Sequence, residues 1–338
     1  MHFFVTGHTG FKGSWLILLL KELGHEVSGY SLAPVEGGLF QLAGLEREVK
    51  HHFIGDIRDL EHVRSAMRAS QPDFAIHMAA QPLVLRSYED PIETYTTNVD
   101  GTLNFLRAVT ELDTPPISLV VTTDKVYRDD GKGSYVETDP LGGHDPYSAS
   151  KAMADILTQS WAATNPDLRL HVARAGNVIG AFDVSENRLL PDAIRAIESG
   201  QRLRVRHPSA VRPWQHVLDC LAGYILLLLR SKHFEDVPLA LNFGPDSLAV
   251  KSVESVIQKI QELFPEFVYE LFDQITPKET EILTLNSKLA AHLLEWKNVV
   301  DFDSTVRWSL ASTSNESARN VAVAQVREFL KSSNLPLC

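Results

Sequence analysis

The opening thirteen residues constrain this chain more than any other stretch. His2 to Thr6 reads as an apolar strand, and Thr6-Gly7-His8-Thr9-Gly10-Phe11-Lys12-Gly13 follows it with a G-x-x-G-x-x-G spacing that runs straight into an apolar helix. Strand, glycine turn and helix in that order make a phosphate cradle. Gly7 permits the tight turn, Gly10 lets the backbone approach a pyrophosphate, and Gly13 lets the helix lie close against the strand. The free N–H groups of the helix start then face the anion. A bare glycine triplet is an ordinary turn; the strand before it and the helix after it are what give it meaning.

The same strand-then-helix alternation continues to about Arg174. Short apolar runs at His2–Thr6, Glu26–Tyr30, His51–Ile54, Phe74–His77, Ser118–Thr122 and Arg169–Arg174 are separated by helical stretches at Phe11–Leu23, Leu60–Ala69, Ile92–Glu111 and Pro146–Ala163. This order predicts an α/β fold, a doubly wound parallel sheet of the Rossmann kind. Beyond Arg174 the alternation gives way to Gly, Pro and polar segments between helices at Leu190–Glu198, Leu218–Leu229 and Val253–Phe264. A smaller C-terminal substrate-binding domain is therefore expected. Residues 1–175 form the dinucleotide-binding domain, completed by parts of 213–245, and 176–212 with 246–338 form the substrate-binding region; 338 residues suit such a division. Ala311–Arg319 is polar enough for a loop, and Arg202-Leu203-Arg204-Val205-Arg206 alternates like a strand with one charged face, either a solvated edge or a phosphate contact.

Composition excludes several classes. With 44% apolar and 22% charged residues the chain can bury a core without staples. Its two cysteines, Cys220 and Cys338, build neither a disulfide framework nor a Cys-rich zinc site. The longest apolar runs, Trp15 to Leu20 and Tyr224 to Leu229, are too short to span a membrane. With no leader before the first strand, a cytoplasmic protein is expected. A net charge of −11 argues against nucleic acid as a partner. His51, His52, His77 and His216 repeat no metal-ligand spacing, so no metal is expected.

Chemistry concentrates at two further places. Tyr147 and Lys151 stand four apart in a helix that Asp145 and Pro146 open, so both lie on one face. A neighbouring ammonium and a cationic nicotinamide would lower the phenol from its usual pKa of about 10 toward a working base. One strand-to-helix unit earlier, Thr122-Thr123-Asp124-Lys125 ends the fifth strand, where open parallel sheets bind ligands. At the adenosine end, Gly29-Tyr30-Ser31-Leu32 lacks the acidic residue that usually holds the ribose, yet no Arg stands there for a 2′-phosphate, which favours NAD. Asp56-Ile57 supplies either an adenine contact or a helix-capping Asp.

Together with GYSLAP (Gly29–Pro34), TDKVY (Thr123–Tyr127), GGHDPYSASK (Gly142–Lys151), ARAGNVIG (Ala173–Gly180) and RPWQHVLD (Arg212–Asp219), these elements resemble the extended short-chain dehydrogenase/reductase family, and within it the sugar-nucleotide 4,6-dehydratases. The resemblance implies bound NAD, a homodimer or higher homo-oligomer, and conversion of CDP-glucose to a 4-keto-6-deoxy sugar nucleotide plus water. It assigns Gly7, Thr9, Gly10, Phe11, Gly13, Asp56, Ile57, Ala79, Ala80, Gln81, Asn98, Tyr147 and Lys151 to the cofactor, and Asn177, Arg188, Leu189, Arg212 and Asn242 to the substrate. Thr123, Tyr147 and Lys151 would serve oxidation at C4, and Asp124 would protonate the leaving C6 oxygen if burial keeps it protonated. Lys125 would be either the C5 base, with a depressed pKa, or a charged stabiliser of the enolate; the sequence leaves both open. Gly180-Ala181-Phe182-Asp183-Val184 departs from the further glycines and Asp-Trp usual in that group. Rival functions are another dehydratase, a 4-epimerase, a reductase, and a regulator that binds NAD without turnover.

Overall fold

Seven parallel strands order the molecule. The computed structural model describes residues 1–205, 207–245, 249–272 and 284–336, so Arg206 and Cys338 lie outside the described residues. Strands β1 (His2–Thr6), β2 (Glu26–Ser31), β3 (His51–Ile54), β4 (Phe74–His77), β5 (Ile117–Thr123), β6 (Leu170–Ala175) and β7 (Ala240–Phe243) lie in the order β7-β6-β5-β4-β1-β2-β3. The chain's progress reverses between β1 and β4, which pair in parallel, and this switch point leaves a crevice at the strands' carboxyl ends.

Alternation along each strand feeds two cores. Phe3, Val5, Ile76, Leu119 and Val121 face α1 (Phe11–Glu22), while Phe4, Ala75 and Val120 face α2 (Leu60–Ser70) and α3 (Gly101–Thr110) on the other side. The helix that carries Tyr147 and Lys151 is α4 (Pro146–Thr164); α5 (Val217–His233) packs in the first core. Helix α1 is buried without a break from Gly13 to Leu20 because it is covered twice, by the sheet and by α6 (Ala318–Ser332) outside it. A separate, smaller core gathers Ile179, Leu190, Ile194, Trp214, Ile257 and Ile260 from the region after β6.

Three expectations change. The helix expected over Ile92–Glu111 is broken into Pro91–Tyr95, one π-helical turn at Thr96–Asp100, and α3, a departure that periodicity does not register. The region expected as a loop over Ala311–Arg319 holds a 3₁₀ turn at Leu310–Thr313, and Ser317 caps α6 by accepting from the Asn320 N–H. Helices Lys288–Leu294 and α6 contribute Ala290, Leu294, Val326 and Phe329 to the large core, so part of 246–338 returns to the sheet. In the basic stretch, Arg204 lies over the Phe272 ring and 3.6 Å from Glu270 on a solvated edge.

Candidate active site

The glycine turn fits a dinucleotide phosphate. Gly7 has φ +75°, and a Cβ there would stand 2.9 Å from the Ala79 nitrogen. At Gly13 a Cβ would be 2.3 Å from the Gly7 carbonyl oxygen, so only glycine lets α1 start this close to β1. Gly10 caps α1 without a side-chain hydrogen bond, and a Cβ on it would meet nothing but the Gly7 oxygen at 3.3 Å. The N–H groups of the first turn, with no side-chain cap, are a donor set suited to an anion. The Phe11 ring closes one flank against Gly180. Thr6 Oγ1 accepts from the Met78 and Ala79 N–H groups at 3.1 and 3.2 Å, which pins the Ala79-Ala80-Gln81 loop to the turn.

At the adenosine end, Thr9 Oγ1 lies 2.8 Å from Ser31 Oγ and 2.9 Å from the Leu32 carbonyl, so hydroxyls occupy the place of the missing acid. Asp56 is not a helix cap: Asp59 caps α2, accepting from the His62 N–H at 3.1 Å. Asp56 instead accepts from the Arg58 main chain at 2.9 Å and side chain at 3.0 Å, and the guanidinium holds its carboxyl below the usual range. The Ile57 side chain is spent in the core against Gly101, and its carbonyl accepts from Asn104 Nδ2 at 3.1 Å.

Asn98 lies in the π turn with its amide fully occupied. Its Oδ1 accepts from the Gln81 N–H at 2.8 Å, and its Nδ2 donates to the Gln81 carbonyl at 3.1 Å and to Ser150 Oγ at 2.9 Å. Ser150 in turn donates to the Tyr147 carbonyl at 2.7 Å. Asn98 therefore ties the loop after β4 to the helix that carries Tyr147 and Lys151.

That helix starts where it does because Asp145 accepts from the Ser148 N–H at 2.9 Å and Pro146 occupies its first turn. Tyr147 and Lys151 are both buried. Lys151 Nζ donates to the Val121 carbonyl of β5 at 3.1 Å, and burial, aided by the charge on Lys12, brings its pKa down to about 8. The foremost cation acting on the phenol lies on another element. Burial raises the Tyr147 pKa, and the Lys125 ammonium, the Thr123 hydroxyl and the Arg188 guanidinium work against that rise. Thr123 Oγ1 donates to Asp124 Oδ1 at 2.8 Å, and Lys125 Nζ donates to the same oxygen at 3.2 Å. Burial pulls Lys125 down, but Asp124 and Tyr147 outweigh it, and the net shift is upward. The balance of these charges thus favours the ammonium form of Lys125.

Of the residues expected at the substrate, Arg188 sits 3.6 Å from Asp183 at the start of helix Leu189–Ser199, and Leu189 packs on the smaller core. Arg212, on the short strand Val211–Pro213, acts electrostatically on Lys125. Asn177 is exposed just beyond β6. Asn242 is corrected. It is wholly buried on β7, accepting from Tyr127 Oη at 2.6 Å and donating to the Tyr135 carbonyl at 3.1 Å, so its amide has nothing left for a ligand. The unusual Gly180–Val184 segment also resolves. Phe182 adopts φ +62°, the left-handed conformation that a glycine takes freely, with Trp15 Nε1 donating to the preceding Ala181 carbonyl at 3.1 Å. His77 lies stacked on Phe105 and His216 caps α5, and among the described residues no three His, Cys, Asp or Glu side chains group as metal ligands.

Sequence reasoning passed over Gly176, whose absent side chain keeps a face open to Asp124; a Cβ there would be 3.4 Å from Asp124 Oδ2. It also passed over Lys12, visible in the glycine motif, and over Arg174, a cation inside an apolar strand pattern.

Comparison with known proteins agrees with this geometry. A model of the "NAD dependent epimerase/dehydratase family" matches residues 3–240. The chain belongs to this family. It is an NAD-dependent enzyme by membership. The family member CDP-glucose 4,6-dehydratase of Salmonella typhimurium is 40% identical over 92% of this chain and 87% of the relative. A probable dTDP-glucose 4,6-dehydratase of Sinorhizobium fredii is 30% identical over 92% of this chain and 93% of its own. The crystal structure of dTDP-glucose 4,6-dehydratase from Bacillus anthracis in complex with NAD shares the fold, with a TM-score of 0.78 and 22% identity over 95% of this chain and 99% of that one. Among the described residues no helix is long and apolar enough to cross a membrane.

Proposed function

We propose that the chain is a sugar-nucleotide 4,6-dehydratase that converts CDP-glucose to CDP-4-keto-6-deoxyglucose and water. The observation that carries this reading is the convergence of Asp124 and charged Lys125 on Tyr147, a set that offers an acid and a cation beside the oxidising phenol. Similarity to the Salmonella dehydratase supports CDP-glucose as substrate.

When bound, NAD supplies the acceptor, and later the donor, of the hydride at the sugar. Gly7, Gly10, Gly13 and the first turn of α1 would hold its pyrophosphate, with Thr9, Asp56 and the Ala79–Gln81 loop along its length. Tyr147 takes the proton of the C4 hydroxyl, with Lys125 and Thr123 opposing the rise that burial imposes on its pKa. With a ketone at C4, the C5 proton becomes acidic; the Asp124 carboxylate, which accepts from Thr123 and Lys125, takes it while the Lys125 ammonium stabilises the enolate. Asp124 then delivers that proton to the C6 oxygen as it leaves as water, and the proton Tyr147 took from the C4 hydroxyl goes to C5 as C6 is reduced. Arg188 and Arg212 face the diphosphate, with Asn177 at the exposed mouth. The smaller lobe built around Ile194, Trp214 and Ile257 forms the substrate side of the crevice.

The test is incubation with CDP-, dTDP-, UDP- and GDP-glucose, followed by mass spectrometry. A keto product lighter by one water, formed fastest from CDP-glucose, is expected. A product of unchanged mass would make the enzyme an epimerase and overturn the reading. We further propose a homodimer through the face that exposes Tyr88, Ile92, Met153 and Ile156 on Val84–Glu89, Pro91–Tyr95 and α4, an apolar patch on adjoining helices. Sedimentation should give a dimer that Ile92→Asp with Met153→Asp converts to monomer; a wild-type monomer would refute it.

A further inference from the structure

Arg174 is a cation buried inside the sheet, only 2% exposed. In strand register it stands between Thr122 of β5 and Asn242 of β7, one residue below the level of Thr123. Its guanidinium reaches in two directions. Nε and Nη2 grip Asp155 in a bidentate pair at 2.8 and 2.9 Å, and Nη1 donates to Tyr127 Oη at 2.9 Å and to the Glu137 carbonyl at 2.8 Å. Asp155 follows Tyr147 and Lys151 at four-residue steps, so the three share one face of α4. Tyr127 follows Lys125 by two residues and is anchored on its far side by Asn242. Thr122 and Gln159 add donors to Asp155 at 3.2 and 2.7 Å.

We propose that Arg174 is a positioning residue that sets the separation between Tyr147 and Lys151 on α4 and Asp124 with Lys125 after β5; the proposal rests on the dehydratase reading above. One rigid, planar cation spans the helix and the loop that carry the two halves of the chemistry. Its bidentate bond to Asp155 fixes direction as well as distance, which an apolar contact does not do. Stability by itself gives no reason for the device, because a buried ion pair can generally be replaced by apolar side chains of similar volume without loss of stability.

The test compares wild type with the double variant Arg174→Met, Asp155→Leu and with the single variant Arg174→Lys. The double variant should melt near wild type, yet its kcat should fall about 100-fold, as a misplacement of about 1 Å does, with KM and the NAD dissociation constant within about threefold. Arg174→Lys keeps the charge but not the fork, and should lose about 10-fold in kcat at unchanged KM. Wild-type kcat in either variant, or losses in kcat that merely follow lost stability, overturns the proposal. Crystal structures of the same proteins form an arm that needs no substrate. The distance from Tyr147 to Asp124 should change in the double variant, and an unchanged distance also overturns the proposal. Failure of the wild type to dehydrate any nucleotide sugar counts against the dehydratase reading, and the structural arm then decides the positioning question alone.

Discussion

Lys125→Met separates the two halves of the proposed reaction. In the wild type the ammonium lies 3.2 Å from Asp124 Oδ1, Asp124 is 2% exposed, and Lys125 keeps 30% of its side chain exposed. Breaking a fully buried pair costs about 3–5 kcal/mol, but the lysine's access to water discounts this, and about 1–2 kcal/mol of stability is the expected loss. The chemical cost is larger. Removing one preorganised group at a developing oxyanion lowers kcat by about 10²–10³, or about 2.7–4 kcal/mol. Since Lys125 is also the first cation acting on Tyr147, its removal lets burial raise the phenol further, and oxidation at C4 should need higher pH. Two readouts follow: reduction of bound cofactor in a single turnover, by absorbance, and the dehydrated product, by mass. Reduction should persist with its pH dependence moved upward, while product formation drops by the factor above. The reasoning is refuted if dehydration continues at the wild-type rate, or if the pH dependence of reduction does not move.

Gly13→Ala places a Cβ 2.3 Å from the Gly7 oxygen and 2.5 Å from His8 Cα, both backbone, where ordinary contact begins at 3.4 Å. Helix α1 must retreat by about 1 Å, with a stability loss of about 1–3 kcal/mol. NAD should bind about 10–100-fold more weakly by calorimetric titration; an unchanged dissociation constant would show that the helix start does not hold the cofactor. Lys151, brought down to about 8, gives a pH signature. Between that value and the higher pKa of the unfolded chain, the unfolded state binds more protons, so stability rises with pH across the window. Urea melts at pH about 7 and about 9.5 should show wild type gaining on Lys151→Met; a constant or shrinking difference would place Lys151 outside the buried environment described.

Much of the frame was legible in the residues themselves. The turn from Gly7 to Gly13, the alternation that divides Phe3 and Val5 from Phe4, and the four-residue step from Tyr147 to Lys151 are local patterns, with backbone geometry translating spacing directly into shape. What spacing cannot carry is which distant segments meet and what they shield from water. Lys151 is adjacent to Tyr147 on the helix, yet it turns to the Val121 carbonyl, and Lys125 from another element acts on the phenol. By sequence Asn242 reads as a ligand contact, but on β7 its amide is taken by Tyr127 and Tyr135; Arg174 reads as an interruption of an apolar strand, but in the fold Asp155 meets it. A helix or strand is determined by neighbours a few residues away. The charge state and partners of a buried group depend on the exclusion of solvent by chain segments tens of residues distant, and that is settled only when the sheet, its helices and the loop after β5 are packed together.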